Sequence, residues 1–336
     1  MLLTLPLVLF IVMTELSIGA FSVLFLFDWR NEVKRAFLVL YALIYLGLTG
    51  LTFLFQQNFS TPDLLNSYTQ LDKTWTAYLP VSLLLFWLLM IPYNLLLWLD
   101  RNAGVDGKER KAKARAEAES KGEQIQSSSS PLRLLRLISG GLVVLAGLAT
   151  LFVMAMIYRP LASANLGGVF TVAGFFAAAL ALGGVMTAMW LGHWYLVTPA
   201  LSERPYLFAT TLVLLGVLTQ VIFAITAGPS TTYANKPSSP ATIATATPAD
   251  TISAATPTTK LLVKPASVPV ITPLSVDAIG WLRILLSFVL PLTFGSISLK
   301  LIRDRSFQSA TGMLYLVVVS TLAGEAIARG LFLMGL

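Results

Sequence analysis

The stretch Leu322-Ala-Gly-Glu-Ala-Ile-Ala-Arg-Gly-Leu-Phe-Leu-Met-Gly335 places one acid and one base inside an apolar run. The run from residue 312 to 336 is long enough to cross a bilayer as a helix, because about 20 residues span the hydrocarbon core. Glu325 and Arg329 are one helical turn apart and share a face. Each charge at the bilayer centre costs about 2.5–3.5 kcal/mol on insertion scales, so a partner or a hydrated cavity is expected.

The composition of the chain is that of an integral membrane protein. Hydrophobic residues make up 56% of its 336 residues and charged residues only 12%, about half the charged fraction of soluble domains. The first apolar segment, 2–27, is too long for a signal-peptide core and has no basic residue before Arg30, so it is predicted to be a retained span. The net charge of +7 does not indicate nucleic-acid binding, because the basic residues concentrate in connections beside apolar helices.

The hydropathy pattern predicts an all-α bundle of eight transmembrane helices, because apolar runs of about 20 residues recur along the chain. The eight runs lie at 2–27, 36–55, 77–99, 137–157, 168–196, 206–227, 278–301 and 310–335. The odd-numbered connections carry sixteen lysines and arginines, and the even-numbered connections carry five. By the positive-inside rule, the odd-numbered connections face the cytoplasm and both termini face the outer, periplasmic side of the bacterial cytoplasmic membrane.

Two connections differ from the others in length and composition. Residues 100–136 form a charged loop whose segment 108–123 favours a solvated cytoplasmic helix or a disordered linker; a basic patch on anionic lipid is the alternative. Residues 228–277 are rich in Thr, Ala, Pro and Ser and predict a disordered outer linker. The remaining parts are 1–99 with helices one to three, 137–227 with helices four to six, and 278–336 with helices seven and eight.

The residue types that the chain lacks exclude several kinds of cofactor site. Without cysteine it supplies no thiolate for an iron–sulfur cluster or a haem attachment, and its one histidine, His193, cannot supply two haem ligands. We find no phosphate-binding glycine loop, nucleophile elbow or metal-ligand cluster. His193, beside Trp194 and Tyr195, is interpreted as an interfacial hydrogen-bonding residue, with a ligand or proton-relay role as the alternative.

The charged residues within the apolar runs cluster toward the predicted outer side. Arg283 could reach Glu325, so Arg283, Glu325 and Arg329 are predicted to form a structural charge clamp; proton transfer at a small-molecule site is the alternative. Glu15, near mid-membrane on the first helix, has no basic residue within two turns in sequence. An unpaired carboxylate in a low dielectric is readily protonated, so Glu15 is the preferred proton carrier, with a protonated side chain hydrogen-bonded between helices as the alternative.

Several motifs in order along the chain resemble one family, the membrane-anchor subunits of dimethyl sulfoxide reductase. The stretch 322–332 looks like the closing helix of these anchors, and 5–21, Leu-Pro-Leu-Val-Leu-Phe-Ile-Val-Met-Thr-Glu-Leu-Ser-Ile-Gly-Ala-Phe, is similar to their first helix. Met156-Ile-Tyr158 and Gly174-Phe-Phe176 resemble helices four and five, and Trp281-Leu-Arg283-Ile resembles the start of the seventh. Eight spans with both termini outside is also the topology of this family.

The resemblance implies an anchor that binds menaquinol and passes its electrons to an iron–sulfur subunit and a molybdopterin catalytic subunit in anaerobic respiration. Such an anchor holds no haem, iron–sulfur cluster or metal, and its quinol site would lie near Glu15, Asn58 and Arg159. The family commonly has His-Leu-Gly-Ser-Pro where this chain has Asn58-Phe-Ser-Thr-Pro62. An amide can hold a quinol oxygen but cannot take its proton, so either proton acceptance falls to Glu15 or the activity is altered or absent.

The sequence therefore predicts a quinol-oxidising membrane anchor, and two alternatives stay open. A proton-coupled small-solute transporter would use the same carboxylates, although it usually shows repeated halves with broken helices, which the sequence lacks. A non-catalytic assembly scaffold would explain the missing histidine equally well.

Overall fold

A computed structural model describes five parts of the chain, and within them all regular structure is helical. These parts are residues 5–100, 131–162, 168–198, 202–227 and 276–333. The predictions for the segment 108–123 and for most of the linker 228–277 concern residues outside these parts.

The described residues form ten α-helices. They are α1 (Leu5–Arg30), α2 (Arg35–Phe59), α3 (Pro62–Ser67), α4 (Tyr78–Leu99), α5 (Pro131–Tyr158), α6 (Val169–Val197), α7 (Arg204–Ala227), α8 (Val276–Ile284), α9 (Leu290–Arg303) and α10 (Phe307–Leu333). A π-helical turn, Leu285–Val289, joins α8 and α9 into one span, and a short 3-10 helix, Arg159–Ala162, follows α5. Eight spans in the described parts are apolar and long enough to cross a membrane, which confirms the predicted helical membrane bundle.

Helix α1 lies at the centre of the bundle. It packs against α2, α5, α6 and α10, and 83% of its apolar window is buried, against 22–56% for the other spans. A helix enclosed on all sides needs no polar face, and α1 is apolar around its whole circumference apart from a few polar residues. Any polar group on α1 must therefore find its partner inside the protein.

The crossing of α1 and α6 depends on glycine. A Cβ atom added to Gly19 would collide with the backbone of Ala179, and one added to Gly183 would collide with the backbone of Gly19. Small residues at a helix interface let two backbones approach closely, which is a common way of packing helices in lipid. This contact sets the short distance between α1 and α6 at their crossing.

Consecutive spans are antiparallel neighbours, so the bundle has two faces. We call the face where α1 begins and α10 ends the terminal face, and the face where α1 ends the opposite face. At the opposite face, the Arg30 guanidinium lies 4.2 Å from the ring centroid of Phe208 at the start of α7. Arg305, between α9 and α10, pairs there with Glu203 at 3.1 Å. Residues of the predicted site lie on the other side, toward the terminal face.

Candidate functional site

Two charges in the interior, Glu15 of α1 and Arg329 of α10, form an ion pair. Arg329 Nη2 donates a hydrogen bond to Glu15 Oε1, and Arg329 Nε donates to Glu15 Oε2 at 3.4 Å. Glu15 is fully buried and Arg329 is 9% exposed, so the pair lies inside the bundle. The inference that the Glu15 carboxylate is unpaired is therefore wrong: no basic residue lies near it in sequence, but a helix remote in sequence brings Arg329 to it.

One aromatic ring, Phe175 of α6, lies against the arginine of this pair, and rings from α5 and α10 pack on Phe175 in turn. The Arg329 guanidinium carbon lies 4.1 Å from the ring centroid of Phe175, a cation–π geometry. Tyr158 stacks on the same ring with centroids 6.1 Å apart and planes at 12°, and Phe332 meets it edge-on at 6.4 Å. The ion pair therefore borders a buried cluster of aromatic rings, which we call the aromatic surface, and all these groups lie toward the terminal face.

The connection from α2 to α3 reaches this aromatic surface through Tyr158. The Tyr158 hydroxyl is buried next to that of Ser60, although neither meets the geometry of a full hydrogen bond. Thr61 caps α3 by accepting a hydrogen bond from the Leu64 backbone N–H at 3.3 Å, and Pro62 occupies the first turn, where its missing N–H costs nothing. This local sequence ends α2 and holds Ser60 against α5.

Asn58 and Arg159, the other two residues predicted to bind quinol, lie at the surface of the terminal face. Asn58 belongs to the last turn of α2 rather than to the loop, and its side-chain amide donates to the backbone carbonyl of Leu54 at 2.8 Å. Arg159 is in the 3-10 helix that follows α5 and is exposed. Both residues are thus exposed at the terminal face, whereas Glu15 is buried inside the bundle.

Glu325 is held by a residue that sequence reasoning missed. Gln220 of α7 donates its Nε2 to Glu325 Oε1, and both side chains are at least nine-tenths buried. Arg283, expected to pair with Glu325, interacts with it electrostatically, but in the described residues it makes no hydrogen bond or ion pair with it. The expected contact is absent because α7 packs beside α9 and the π-turn and brings Gln220 to the carboxylate.

A second buried charge cluster lies toward the opposite face, and sequence reasoning also missed it. Asp28 of α1 accepts hydrogen bonds from Arg35, from Arg136 Nε at 2.9 Å and from the Tyr93 hydroxyl at 3.1 Å. Arg136 also pairs with Asp100. These contacts tie α1, α2, α4 and α5 together. The sequence predicts that Arg136 lies in the charged loop 100–136; this is wrong, because Arg136 lies in α5 and is fully buried.

The described residues contain no cluster of three His, Cys, Asp or Glu side chains that could hold a metal ion. His193 is exposed near the end of α6 at the opposite face. Phe175, which contacts Arg329 of the ion pair, lies near the start of the same helix. Its neighbour Trp194 packs edge-on against Phe37 with centroids 5.7 Å apart. The role assigned to His193 stays a prediction.

Comparisons of the chain with protein-family models, with characterised proteins and with solved structures find no match.

Proposed function

We propose that this chain is the quinol-oxidising membrane anchor of a complex like dimethyl sulfoxide reductase, in the bacterial cytoplasmic membrane with both termini outside. The observation that carries the proposal is the buried Glu15–Arg329 pair beside the ring of Phe175. A quinol is a flat aromatic diol, so its site needs an aromatic surface and a proton acceptor at membrane depth. The pair and its aromatic neighbours offer both.

The proposed chemistry divides the products of oxidation between this chain and its partners. A menaquinol that loses two electrons also loses two protons. Glu15 accepts the two protons from the quinol hydroxyls one after the other, releasing the first before it takes the second, and Arg329 stabilises the carboxylate before each transfer. Once Glu15 is neutral, the Arg329 cation retains the face of Phe175 as a partner. The electrons pass to an iron–sulfur partner at the outer face and from there to a molybdopterin subunit.

Quinone binding by the purified chain tests this proposal. We expect bound naphthoquinone to be recovered by organic extraction of the detergent-purified protein and quantified from its ultraviolet absorbance. Glu15→Gln and Arg329→Lys should each reduce the bound fraction several-fold, because both alter the pair. His193→Gln is the matched control, since His193 is exposed at the opposite face. Equal quinone content in the wild-type protein and all three variants would overturn the proposal.

The partner subunits are tested in native membranes. Affinity purification of the tagged chain should co-purify an iron–sulfur protein and a molybdopterin protein, identified by mass spectrometry and by metal content. Recovery of the chain alone together with solute uptake into proteoliposomes would favour the transporter instead. Recovery of the two partners without any quinone binding would favour the assembly scaffold.

A further inference from the structure

Four buried polar atoms without a hydrogen-bond partner in the described protein belong to α7, α8, the π-turn and α10. They are Gln220 Oε1, Arg283 Nε, Ser287 Oγ and Thr321 Oγ1. Buried polar groups in native proteins almost always make a hydrogen bond to protein or to ordered water, because an unmade one costs about 1–3 kcal/mol. Four such atoms in one region therefore indicate a bound polar species.

The four atoms belong to one contiguous region around Glu325. Gln220 donates to Glu325 with its amide nitrogen, which leaves its oxygen unpaired. Thr321 lies one turn before Glu325 on α10, and Arg283 lies one turn before Ser287 on the neighbouring span. The two spans touch here, because a Cβ on Gly324 would come within 2.7 Å of the Ser287 backbone nitrogen.

Thr321 behaves unlike most threonines in the helices of the bundle. A helical threonine commonly donates its hydroxyl to the carbonyl four residues earlier, whereas the Thr321 hydroxyl is buried without any partner. Threonines that do make this bond are Thr14, Thr49, Thr52, Thr150, Thr210, Thr211, Thr219 and Thr311. The Thr321 hydroxyl is thus left available to a species other than its own backbone.

The π-helical turn places Ser287 in this region. Turns of this type are rare and frequently occur at functional sites, since the extra residue locally widens the helix. The described residues contain a single π-turn, Leu285–Val289, and Ser287 lies at its centre with 2% of its surface exposed. The local backbone irregularity therefore coincides with the unpaired polar atoms.

We propose that Gln220, Arg283, Ser287, Thr321 and Glu325 line a hydrated pocket that opens to the terminal face, and that Glu325 exchanges protons with this water. Water matches the lining because it both donates and accepts hydrogen bonds. The lining offers an amide oxygen that accepts, a guanidinium N–H that donates and two hydroxyls that do both. A metal cation is disfavoured by the positive charges of Arg283 and Arg329, and an apolar ligand would leave the polar atoms unpaired.

The pocket lies close to the proposed quinol site. Glu325 is close enough to Glu15 to interact with its charge, and Arg329 lies one turn beyond Glu325 on the same face of α10. A proton that Glu15 accepts can pass over pocket water to Glu325 and then to the outer solution. Each transfer moves one proton and no electron. The proton-carrying role of Glu325 rests on the proposed function, whereas the hydrated pocket does not.

Cysteine labelling tests the pocket directly, because the natural chain contains no cysteine. Ser287→Cys and Thr321→Cys should react in proteoliposomes with a small, charged, water-borne methanethiosulfonate. Ser298→Cys is the control: Ser298 lies on the same span as Ser287, is equally buried, and donates its hydroxyl to the Ala310 carbonyl at 3.2 Å. We expect both pocket cysteines to react at least tenfold faster than the control. If both react no faster than the control, the pocket is overturned.

The proton role of Glu325 is tested separately in the purified complex. Glu325→Gln should lower quinol-oxidation turnover by about 10²-fold, the effect of losing a positioned proton carrier, while bound quinone stays at the wild-type level. Unchanged turnover would overturn the proton role. Absence of bound quinone from the wild-type protein would instead count against the proposed function. Fast labelling of Ser287→Cys would still support the pocket in that case.

Discussion

Arg329 in the last helix donates a hydrogen bond to Glu15 in the first, across 314 residues of sequence. Both helices also pack against α6, so the pair lies where three spans meet. Each charge alone would be costly at this depth, and the pair relieves both costs at once. The contact therefore serves the packing of the bundle as well as any chemistry at Glu15.

Breaking this pair should destabilise the protein. Arg329→Ala leaves the buried Glu15 carboxylate without its cation, and losing one partner of a buried pair typically costs about 3–5 kcal/mol. We expect a lower midpoint of thermal unfolding in detergent. The double variant Glu15→Gln, Arg329→Ala should be more stable than the sum of the single losses predicts, since neither charge then lacks its partner. Strictly additive losses would show that the two groups do not interact.

The spans could be predicted from sequence, whereas the partners of the charges could not. Runs such as 206–227 are apolar enough that lipid and helical geometry decide their course, and α7 is observed at Arg204–Ala227. Which residue faces Glu325 depends on the order of helices around the bundle and on their rotation. The order of spans in the sequence predicts Arg283 as the partner of Glu325, but α7 brings Gln220 to the carboxylate.

The second charge cluster could not be predicted from sequence for a related reason, because its residues lie near the ends of the spans. Hydropathy falls near charged residues, so the sequence pattern predicts that Arg136 and Asp100 lie in a connecting loop. In the structure, α5 begins at Pro131 and Arg136 is buried against Asp28. A charged residue near a helix end can be satisfied internally as readily as by water, and only tertiary contacts distinguish the two situations.

Asp28 should therefore be important for stability. Asp28→Asn removes the negative charge that faces Arg35 and Arg136, and we expect a loss of about 3–5 kcal/mol. Tyr93→Phe removes one hydrogen bond to Asp28 and should cost about 1 kcal/mol. Glu32→Gln is the control, because its ion pair with Arg30 is partly exposed and such pairs contribute about 0–1 kcal/mol. Urea-induced unfolding monitored by tryptophan fluorescence would rank the three, and equal effects would contradict the prediction.

The α1–α6 crossing should also be sensitive to one added methyl group. Gly183→Ala introduces a Cβ where the backbone of Gly19 lies, so the helices must separate. Overpacking of a tight contact costs about 1–3 kcal/mol. Gly174→Ala on the same helix is the control, because nothing lies within 4 Å of its Cβ position, and the exchange should stabilise the helix by about 0.5–1 kcal/mol. Opposite signs in thermal unfolding are the expected result; a loss in both would show that α6 tolerates no side chain at either glycine.

Phe175 provides the sharpest test of the aromatic surface beside the ion pair. Phe175→Leu keeps an apolar side chain but removes the ring beneath Arg329 and the stacking partner of Tyr158. Aromatic stacking and cation–π contacts contribute about 0.5–2 kcal/mol each, so quinone affinity should fall about tenfold. Phe170→Leu, on the same helix, is the control, because that ring contacts Phe223 of α7 instead. Quenching of tryptophan fluorescence by a water-soluble naphthoquinone measures both affinities. An equal loss in the two variants would trace the effect to general packing of α6 rather than to the ring beside the pair.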